Sequence, residues 1–245
     1  MSCAICGETQ DHVPCPRSGC VNSAAPATEA EPLLVRVMEL TDLPTAVAMH
    51  KTQLPTGFFV ELGERFLSRY YRTFLTSPAA VALVADVGGE TAGYLVGCTD
   101  ESAHRRHVLQ LERWNLTMIG VSSLLARPAL TAHFVRTRAQ RYLRQLRHAG
   151  AAPSPDPAPT ETSVRTGMLN HIAVDTQYRG AGIGATLVRS FVEIARTHGT
   201  GRLQLYTARD KEKTQRFYER LGWTGHEPLT DVDGRQWVPF SLELS

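Results

Sequence analysis

The sequence predicts an α/β domain, because short β-rich segments alternate with longer segments whose apolar residues recur at helical spacing. Two β-rich segments, 80–85 and 91–98, flank an Asp-Val-Gly-Gly-Glu turn, which is typical of a hairpin. Of the 245 residues, 42% are hydrophobic and 20% charged, as expected for a globular protein with one sizeable core. The net charge of +2 is too small to indicate by itself a nucleic-acid or anionic-membrane partner.

The elements before the hairpin are expected to be one strand and two helices. Residues 33–37 form the predicted strand, and Asp42, followed by a leucine and a proline, favours the start of the first helix. The second helix is expected after a break at 54–57. Its apolar face would consist of Phe59, Leu62, Phe66, Tyr70 and Phe74.

Behind the hairpin, residues 103–148 are expected to be helical and basic, with nine arginines against Glu112 as the only acidic residue. Residues 149–162, rich in proline and alanine, are expected to be a mobile loop. The last third is the most regular part of the pattern. It predicts strands at 168–174, 203–206, 222–227 and 236–244, and helices at 182–197 and 211–221.

A glycine-rich segment between a predicted strand and a predicted helix carries the main functional signal. Gly180, Gly182 and Gly184 let the backbone approach a ligand closely, and the start of the following helix points free N–H groups at it. Arg179 adds a positive charge. The spacing fits neither the dinucleotide fingerprint nor the nucleotide-triphosphate loop. The segment therefore predicts a pyrophosphate site of another kind, and the alternative is a tight strand-to-helix turn without a ligand.

Two motifs resemble the GNAT superfamily of N-acetyltransferases. Arg179, Gly182 and Gly184 match R-x-x-G-x-G, and the segment Arg216-Phe-Tyr-Glu-Arg-Leu-Gly-Trp223 is similar to a second signature of that family. The resemblance implies a mixed, mostly antiparallel sheet with a splayed cofactor strand, flanked by helices. It also implies direct transfer of an acetyl group from acetyl-CoA to an amine. The domain is expected at 32–245, with an insertion at about 102–165.

The same resemblance assigns roles to single residues. The cofactor strand at Ile172, Ala173 and Val174 would hold the pantetheine arm of acetyl-CoA. Tyr218 falls where the family has its proton-donating tyrosine, and a phenol suits a thiolate leaving group. The alternative for Tyr218 is a core packing role. The pyrophosphate would be bound by Arg179, Gly180, Ala181, Gly182, Ile183, Gly184 and Ala185.

The general base is not identified by the resemblance, because this sequence departs from the family pattern. Tyr206 stands where some relatives have a glutamate, and Lys211 stands where a cofactor-contacting asparagine is usual. His171 is the candidate base or substrate ligand, with a structural role as the alternative. Since His171 and Asn170 alternate on the predicted strand, only one of them is expected to face the cofactor.

The arginine-rich insertion favours an acidic or phosphorylated acceptor such as a nucleotide-linked amino sugar, with a solvated basic face or a dimer surface as alternatives. Two other functions stay open. One is a protein or peptide N-acetyltransferase, although an enclosing insertion disfavours it. The other is a non-catalytic acyl-CoA-binding regulatory or nucleic-acid-binding protein, which the low net charge and Tyr218 disfavour.

The N-terminal segment 1–31 contains a separate cysteine pattern. Cys3, Cys6, Cys15 and Cys20 have a spacing that a structural zinc site could use, and the alternatives are a thiol-bearing tail or disulfides. With neither a targeting segment nor a membrane span apparent, we expect a cytoplasmic protein, and the preference for arginine over lysine indicates a GC-rich, bacterial genome. Nucleic acid is not an expected partner, and a homodimer is an open alternative.

Overall fold

The computed structural model describes residues 32–55, 58–112, 118, 164–231 and 233–244. Within them, eight strands form one sheet in the order β1-β2-β3-β4-β5-β8-β6, and β7 also pairs with β8. All the neighbouring strands are antiparallel except β4 and β5. The strands are β1 (Leu33–Val37), β2 (Ala80–Val87), β3 (Glu90–Cys98), β4 (Thr166–Val174), β5 (Arg202–Ala208), β6 (Thr224–Gly225), β7 (Leu229–Thr230) and β8 (Gln236–Glu243). The mixed, mostly antiparallel sheet is therefore confirmed.

The described helices pack against both faces of this sheet. The predicted second helix is wrong as a single element, because Gly63, with a φ of 95°, separates two helices. The helices are α1 (Leu43–Gln53), α2 (Phe58–Leu62), α3 (Glu64–Thr76), α4 (Glu101–His107) with a π-helical turn after it (Val108–Glu112), α5 (Ile183–Thr197) and α6 (Glu212–Arg220). None of them is long and apolar enough to cross a membrane.

Helix α1 begins where the sequence indicates, but Asp42 does not cap it in the expected way. Its carboxylate pairs with Arg36 at 2.7 Å and accepts a hydrogen bond from the Glu39 amide at 2.7 Å. The guanidinium of Arg36, the main cause, lowers the pKa of Asp42 below its usual value. The side chain therefore ties α1 to the edge strand β1.

The two faces of the sheet bury different kinds of core. On the α5 face, Leu95, Leu169, Leu187 and Phe191 pack in an apolar cluster. On the α1–α3 face, the buried cluster contains the polar aromatic side chains of Tyr71 and Tyr94 beside aliphatic residues such as Val47, Leu67 and Val84. The strand that carries the predicted cofactor residues, β4, contributes side chains to both clusters.

Several predictions concern residues outside the described part of the chain. These are most of the arginine-rich helix, the proline-rich loop at 149–162, and Cys3, Cys6, Cys15 and Cys20. Of the insertion, only α4, the π-helical turn, Met118, Val164 and Arg165 belong to the described residues. The predicted strand at 222–227 is shorter than expected, since only Thr224–Gly225 pairs with β8.

Candidate active site

A gap opens in the sheet between β4 and β5. The two strands pair only from Thr166 opposite Arg202 to Met168 opposite Gln204, and no pairing between them continues beyond those residues. Ile172, Ala173 and Val174 remain paired to β3 on their other side. Backbone groups need hydrogen-bond partners when they are shielded from water. The open edge of β4 is therefore suited to a ligand that pairs with it as a strand would.

The glycine-rich loop follows directly at the end of β4. Gly180 and Gly182 adopt φ values of 86° and 81°, and a Cβ placed on either would meet no atom within 4 Å. Among the described residues, no acceptor takes a hydrogen bond from six consecutive amides, those of Gly180, Ala181, Gly182, Ile183, Gly184 and Ala185. With the positive end of the α5 dipole behind them, these amides form an open anion-binding cradle.

Arg179 is held by α1, a contact that the sequence pattern does not reveal. Its guanidinium donates to Oε1 of Gln53, the last residue of α1, and its Nε lies 3.4 Å from the carbonyl oxygen of Val174. Gln53 also donates to the Thr176 hydroxyl at 3.2 Å. Gln53 thus joins α1 to both ends of the turn before α5, and a helix-terminal glutamine offers no motif by which to find it.

Tyr218 lies on α6, behind the loop. A Cβ on Gly184 would lie 3.6 Å from both Phe217 and Val174, which brings α6, the loop and β4 together. The Tyr218 ring packs edge-on against Phe217 and Trp223 and is only 3% exposed. Burial raises the pKa of its phenol above the usual value. No described residue hydrogen-bonds to its hydroxyl, which leaves a protonated donor available for a ligand.

His171 lies on the opposite face of β4, in a cluster of histidine and tyrosine side chains. Its Nε2 is 3.2 Å from the Tyr70 hydroxyl, and its ring packs edge-on against that of His50 with 5.0 Å between centroids. Nδ1 of His50 in turn lies 2.6 Å from the Tyr71 hydroxyl, which is 2.8 Å from the hydroxyl of Tyr94. We call this set, His50, Tyr70, Tyr71, Tyr94 and His171, the His–Tyr cluster.

Burial makes the histidines of this cluster poor bases. It lowers the pKa of His50 to about 4, and burial together with the charge of His50 lowers the pKa of His171 to about 3. Both imidazoles are therefore neutral near pH 7. A general base works best with a pKa near the working pH, so these values favour a hydrogen-bonding role for His171.

The expected alternation of Asn170 and His171 does not hold. Val96 of β3 pairs with His171 and Gly97 pairs with Leu169, so Asn170 is an extra residue, a β-bulge. The Cys98 thiol lies 4.0 Å from Oδ1 of Asn170, and the Asn170 side chain lies near the Tyr70 phenol. Both side chains consequently lie on the α1–α3 face, and a bulge cannot be recognised from the period-two pattern of one strand.

The two departures from the family pattern both lie on the surface. Tyr206 on β5 is 48% exposed, and Lys211 before α6 is exposed as well. Neither is buried beside a titratable partner. Within the described residues, no group of His, Cys, Asp or Glu side chains is arranged to hold a metal ion, and Cys98 is a buried free thiol.

Comparison with known proteins agrees with this geometry. Residues 144–223 match the family model described as the acetyltransferase (GNAT) family. The chain is 37% identical over 67 residues to a glucosamine 6-phosphate N-acetyltransferase of Trypanosoma brucei brucei, covering 27% of this chain and 44% of that protein. It is 32% identical over 63 residues to N-alpha-acetyltransferase 30 of Schizosaccharomyces pombe, covering 26% and 42%. The chain thus spans less than half the length of these relatives.

Solved structures share the fold at low sequence identity. Ard1 from Thermoplasma volcanium aligns with a TM-score of 0.53 and 14% identity, covering 87% of this chain and 98% of that chain. An N-acetyltransferase from Staphylococcus aureus gives 0.54 and 13%, covering 87% and 99%. The acetyltransferase yncA from Salmonella typhimurium, solved with acetyl-CoA, gives 0.53 and 12%, covering 87% and 95%.

Proposed function

Since the chain carries a domain of the GNAT acetyltransferase family, we propose that it is an acyl-CoA-dependent N-acyltransferase that moves an acetyl group from acetyl-CoA to an amine. The observation that carries this proposal is the run of six amides, from Gly180 to Ala185, that have no acceptor among the described residues and follow a strand that has separated from its neighbour. A pyrophosphate with an extended pantetheine arm has the shape and the charge for both features at once.

The donor would be held mainly by backbone. The pyrophosphate would accept hydrogen bonds from the amides of Gly180, Gly182 and Gly184 and their neighbours, at the positive end of α5. The amide groups of the pantetheine arm would pair with the open edge of β4 at Ile172, Ala173 and Val174. Arg179, held by Gln53, would add a cation at the rim. Such a site depends on backbone conformation more than on side-chain identity.

The reaction needs no covalent enzyme intermediate. The nitrogen lone pair of the amine attacks the thioester carbonyl, the C–N bond forms, the C–S bond breaks, and the amine loses a proton. Tyr218, whose pKa is raised by burial, is protonated at neutral pH and donates its proton to the departing thiolate. Its hydroxyl then regains a proton from water. Positioning and charge stabilisation supply the rest of the acceleration.

The acceptor side of the site is the α1–α3 face, where His171 and Asn170 lie on β4. His171 is partly exposed and neutral, so it can bind the acceptor or the developing oxyanion by hydrogen bonding. For the acceptor itself we propose the amine of a small molecule, in particular an acidic or phosphorylated amino sugar. Support comes from the arginine-rich composition of 103–148 and from the similarity to a glucosamine 6-phosphate N-acetyltransferase.

A protein or peptide amine is the second candidate. The similarity to N-alpha-acetyltransferase 30 favours it, and the match covers about the same share of this chain as the amino-sugar enzyme does. A structural zinc at the four N-terminal cysteines, a cytoplasmic location and a homodimer stay predictions from the sequence.

Titration of acetyl-CoA into the purified protein, followed by calorimetry, tests the donor site with a matched pair of variants. Gly182→Ala and Gly199→Ala strain glycines with similar φ values, 81° and 69°, at opposite ends of α5. The two ends lie about 22 Å apart, at about 1.5 Å per residue. An alanine at positive φ costs about 1–2 kcal/mol of stability at either position.

We expect the wild type to bind acetyl-CoA in the micromolar range, typical of enzyme substrates. Gly182→Ala should weaken the binding of acetyl-CoA about tenfold or more, because the strained backbone no longer points its N–H groups at the pyrophosphate. Gly199→Ala should leave the binding of acetyl-CoA unchanged. Equal loss in both variants, or no binding by the wild type, would contradict the proposed site. A parallel screen of phosphorylated amino sugars and of N-terminal peptides, with release of free CoA as the readout, separates the two acceptor classes.

A further inference from the structure

The Tyr70 phenol has two polar neighbours on the α1–α3 face of β4. Its hydroxyl lies 3.2 Å from Nε2 of His171, and the side chain of Asn170 lies nearby. The Asn170 oxygen Oδ1 accepts from the Cys98 thiol at 4.0 Å.

These contacts give the hydrogen bonds of Tyr70 a direction. The phenol has a single proton, and Nε2 of His171 is its only hydrogen-bond partner among the described residues. If Nε2 carried the imidazole proton instead, the part-buried O–H of Tyr70 would have no acceptor among those residues, which costs free energy. The arrangement therefore favours an unprotonated Nε2 and a proton on Nδ1.

The other ring nitrogen, Nδ1 of His171, has no hydrogen-bond partner among the described residues. It is not shut off from solvent, whereas Nδ1 of His104 is buried without a partner. His171 itself is partly exposed. An N–H at Nδ1 is thus free to meet a ligand on the acceptor side of the open edge of β4.

We propose that Tyr70 is a positioning residue for the acyl transfer, whose hydroxyl holds His171 as the neutral tautomer with its proton on Nδ1. His171 then offers the reaction a hydrogen-bond donor instead of a base. This inference rests on the proposed function, and it assigns the imidazole N–H to the oxygen of the thioester as negative charge develops there. The proton of the attacking amine leaves to water, so the proton balance of the transfer is kept.

The surroundings of His171 keep it neutral over a wide pH range. The titratable groups that pack against it are His50 on α1, Tyr70 and Tyr71 on α3, and, through Tyr70 and Tyr71, Cys98 and Tyr94 on β3. Burial raises the pKa of Cys98 to about 12 and that of the three phenols above their usual value, so none of these groups supplies a negative charge near pH 7. A protonated His171 would have no counter-ion among them.

Nitrogen-detected NMR of the ¹⁵N-histidine-labelled protein, free of substrate, tests the tautomer directly. The signals of His171 are assigned with His171→Gln. We expect a single tautomer with the proton on Nδ1 that does not titrate between pH 8 and pH 5. In Tyr70→Phe the proton should appear on Nε2. The matched control is Tyr71→Phe, which removes a hydroxyl from the adjacent residue that contacts His50 instead, and it should leave the tautomer of His171 unchanged.

Three results would overturn the inference: a wild-type His171 protonated at Nε2, titration of His171 near pH 6.5, or an equal effect of Tyr71→Phe. If Tyr70→Phe does not fold, the wild-type tautomer alone decides. In the acyl-transfer assay, Tyr70→Phe should lower kcat about tenfold without shifting the pH profile. A tenfold change corresponds to the free energy of roughly one hydrogen bond. The tautomer is measured without donor or acceptor, so absence of acetyl-CoA binding would overturn the proposed function and leave this measurement valid.

Discussion

The two faces of the sheet around β4 differ in what they bury. The α5 face is closed by apolar side chains such as Leu187 and Phe191, and Tyr218 is a buried tyrosine on this face. The α1–α3 face contains the His–Tyr cluster, in which three hydroxyls and one nitrogen of each imidazole are hydrogen-bonded within the cluster. The proposed donor site is built from backbone and can rest on an apolar core. The proposed acceptor side, where protons would move and charge would develop, needs oriented side chains.

The largest expected effect is a loss of stability after a substitution in the apolar core on the α5 face. Phe191 is fully buried against the sheet, and Phe191→Ala should lower the free energy of unfolding by about 3–5 kcal/mol through lost burial and a cavity. Urea unfolding followed by circular dichroism measures this loss. A cost below about 1 kcal/mol would mean that the α5 face is not the tightly packed core that it is in the structure.

Substitution of Tyr218 tests whether this buried tyrosine is catalytic or structural. Since no described residue hydrogen-bonds to its hydroxyl, Tyr218→Phe should leave unfolding nearly unchanged and lower kcat about a hundredfold, the lower range for proton donation. Saturating acetyl-CoA and a stopped-flow assay of CoA release give kcat. The affinity for acetyl-CoA should not change.

The converse result would make Tyr218 a packing residue. A loss of stability with an unchanged kcat would assign the proton transfer to another group or to solvent. Phe217→Leu is the matched control, because Phe217 packs beside Tyr218 and has no proton to donate.

The smallest effect concerns the acid sensitivity of the α1–α3 face. His104 on α4 stacks on Phe74 at 4.6 Å, its Nδ1 is buried without a partner, and burial, followed by the charge of His107, lowers its pKa to about 4. The folded pKa is below the unfolded value of 6.5, so stability falls as the pH drops from about 6.5 toward 4. One such group contributes a slope of up to about 1.4 kcal/mol per pH unit.

Urea unfolding at several pH values between about 7 and 5.5, where carboxylates stay almost fully ionised, measures that slope. His104→Phe should reduce the slope by the contribution of one proton, because the phenyl ring keeps the stacking on Phe74 and cannot be protonated. An unchanged slope would show that His104 is already protonated, or solvated, in the folded protein.

The predicted glycine loop agrees with the structure for a local reason. Positive φ at Gly180 and Gly182 and a helix start at Ile183 depend on neighbours in the chain, so the spacing of glycines is enough to indicate them. The register of β4 is different. The bulge at Asn170 arises from pairing with β3, a strand that is distant in sequence, and it moves Asn170 and His171 onto one face.

Two residues illustrate the limit of sequence patterns at the site. Tyr70 was expected on the apolar face of a helix, and it does pack against Phe59 and Phe74, but its hydroxyl meets His171 across 101 positions of sequence. Gln53 has no motif at all, and it positions Arg179 through a contact between α1 and the loop. Such pairs form only when separate elements are brought together.

The sequence by itself therefore determined the alternating α/β pattern and the glycine-rich turn that opens α5, because these follow from local conformation and short-range spacing. Only the tertiary structure decided where β4 leaves β5, which face His171 occupies, and that His171 is neutral. Those properties come from strand register and burial, which depend on side chains far apart in the chain.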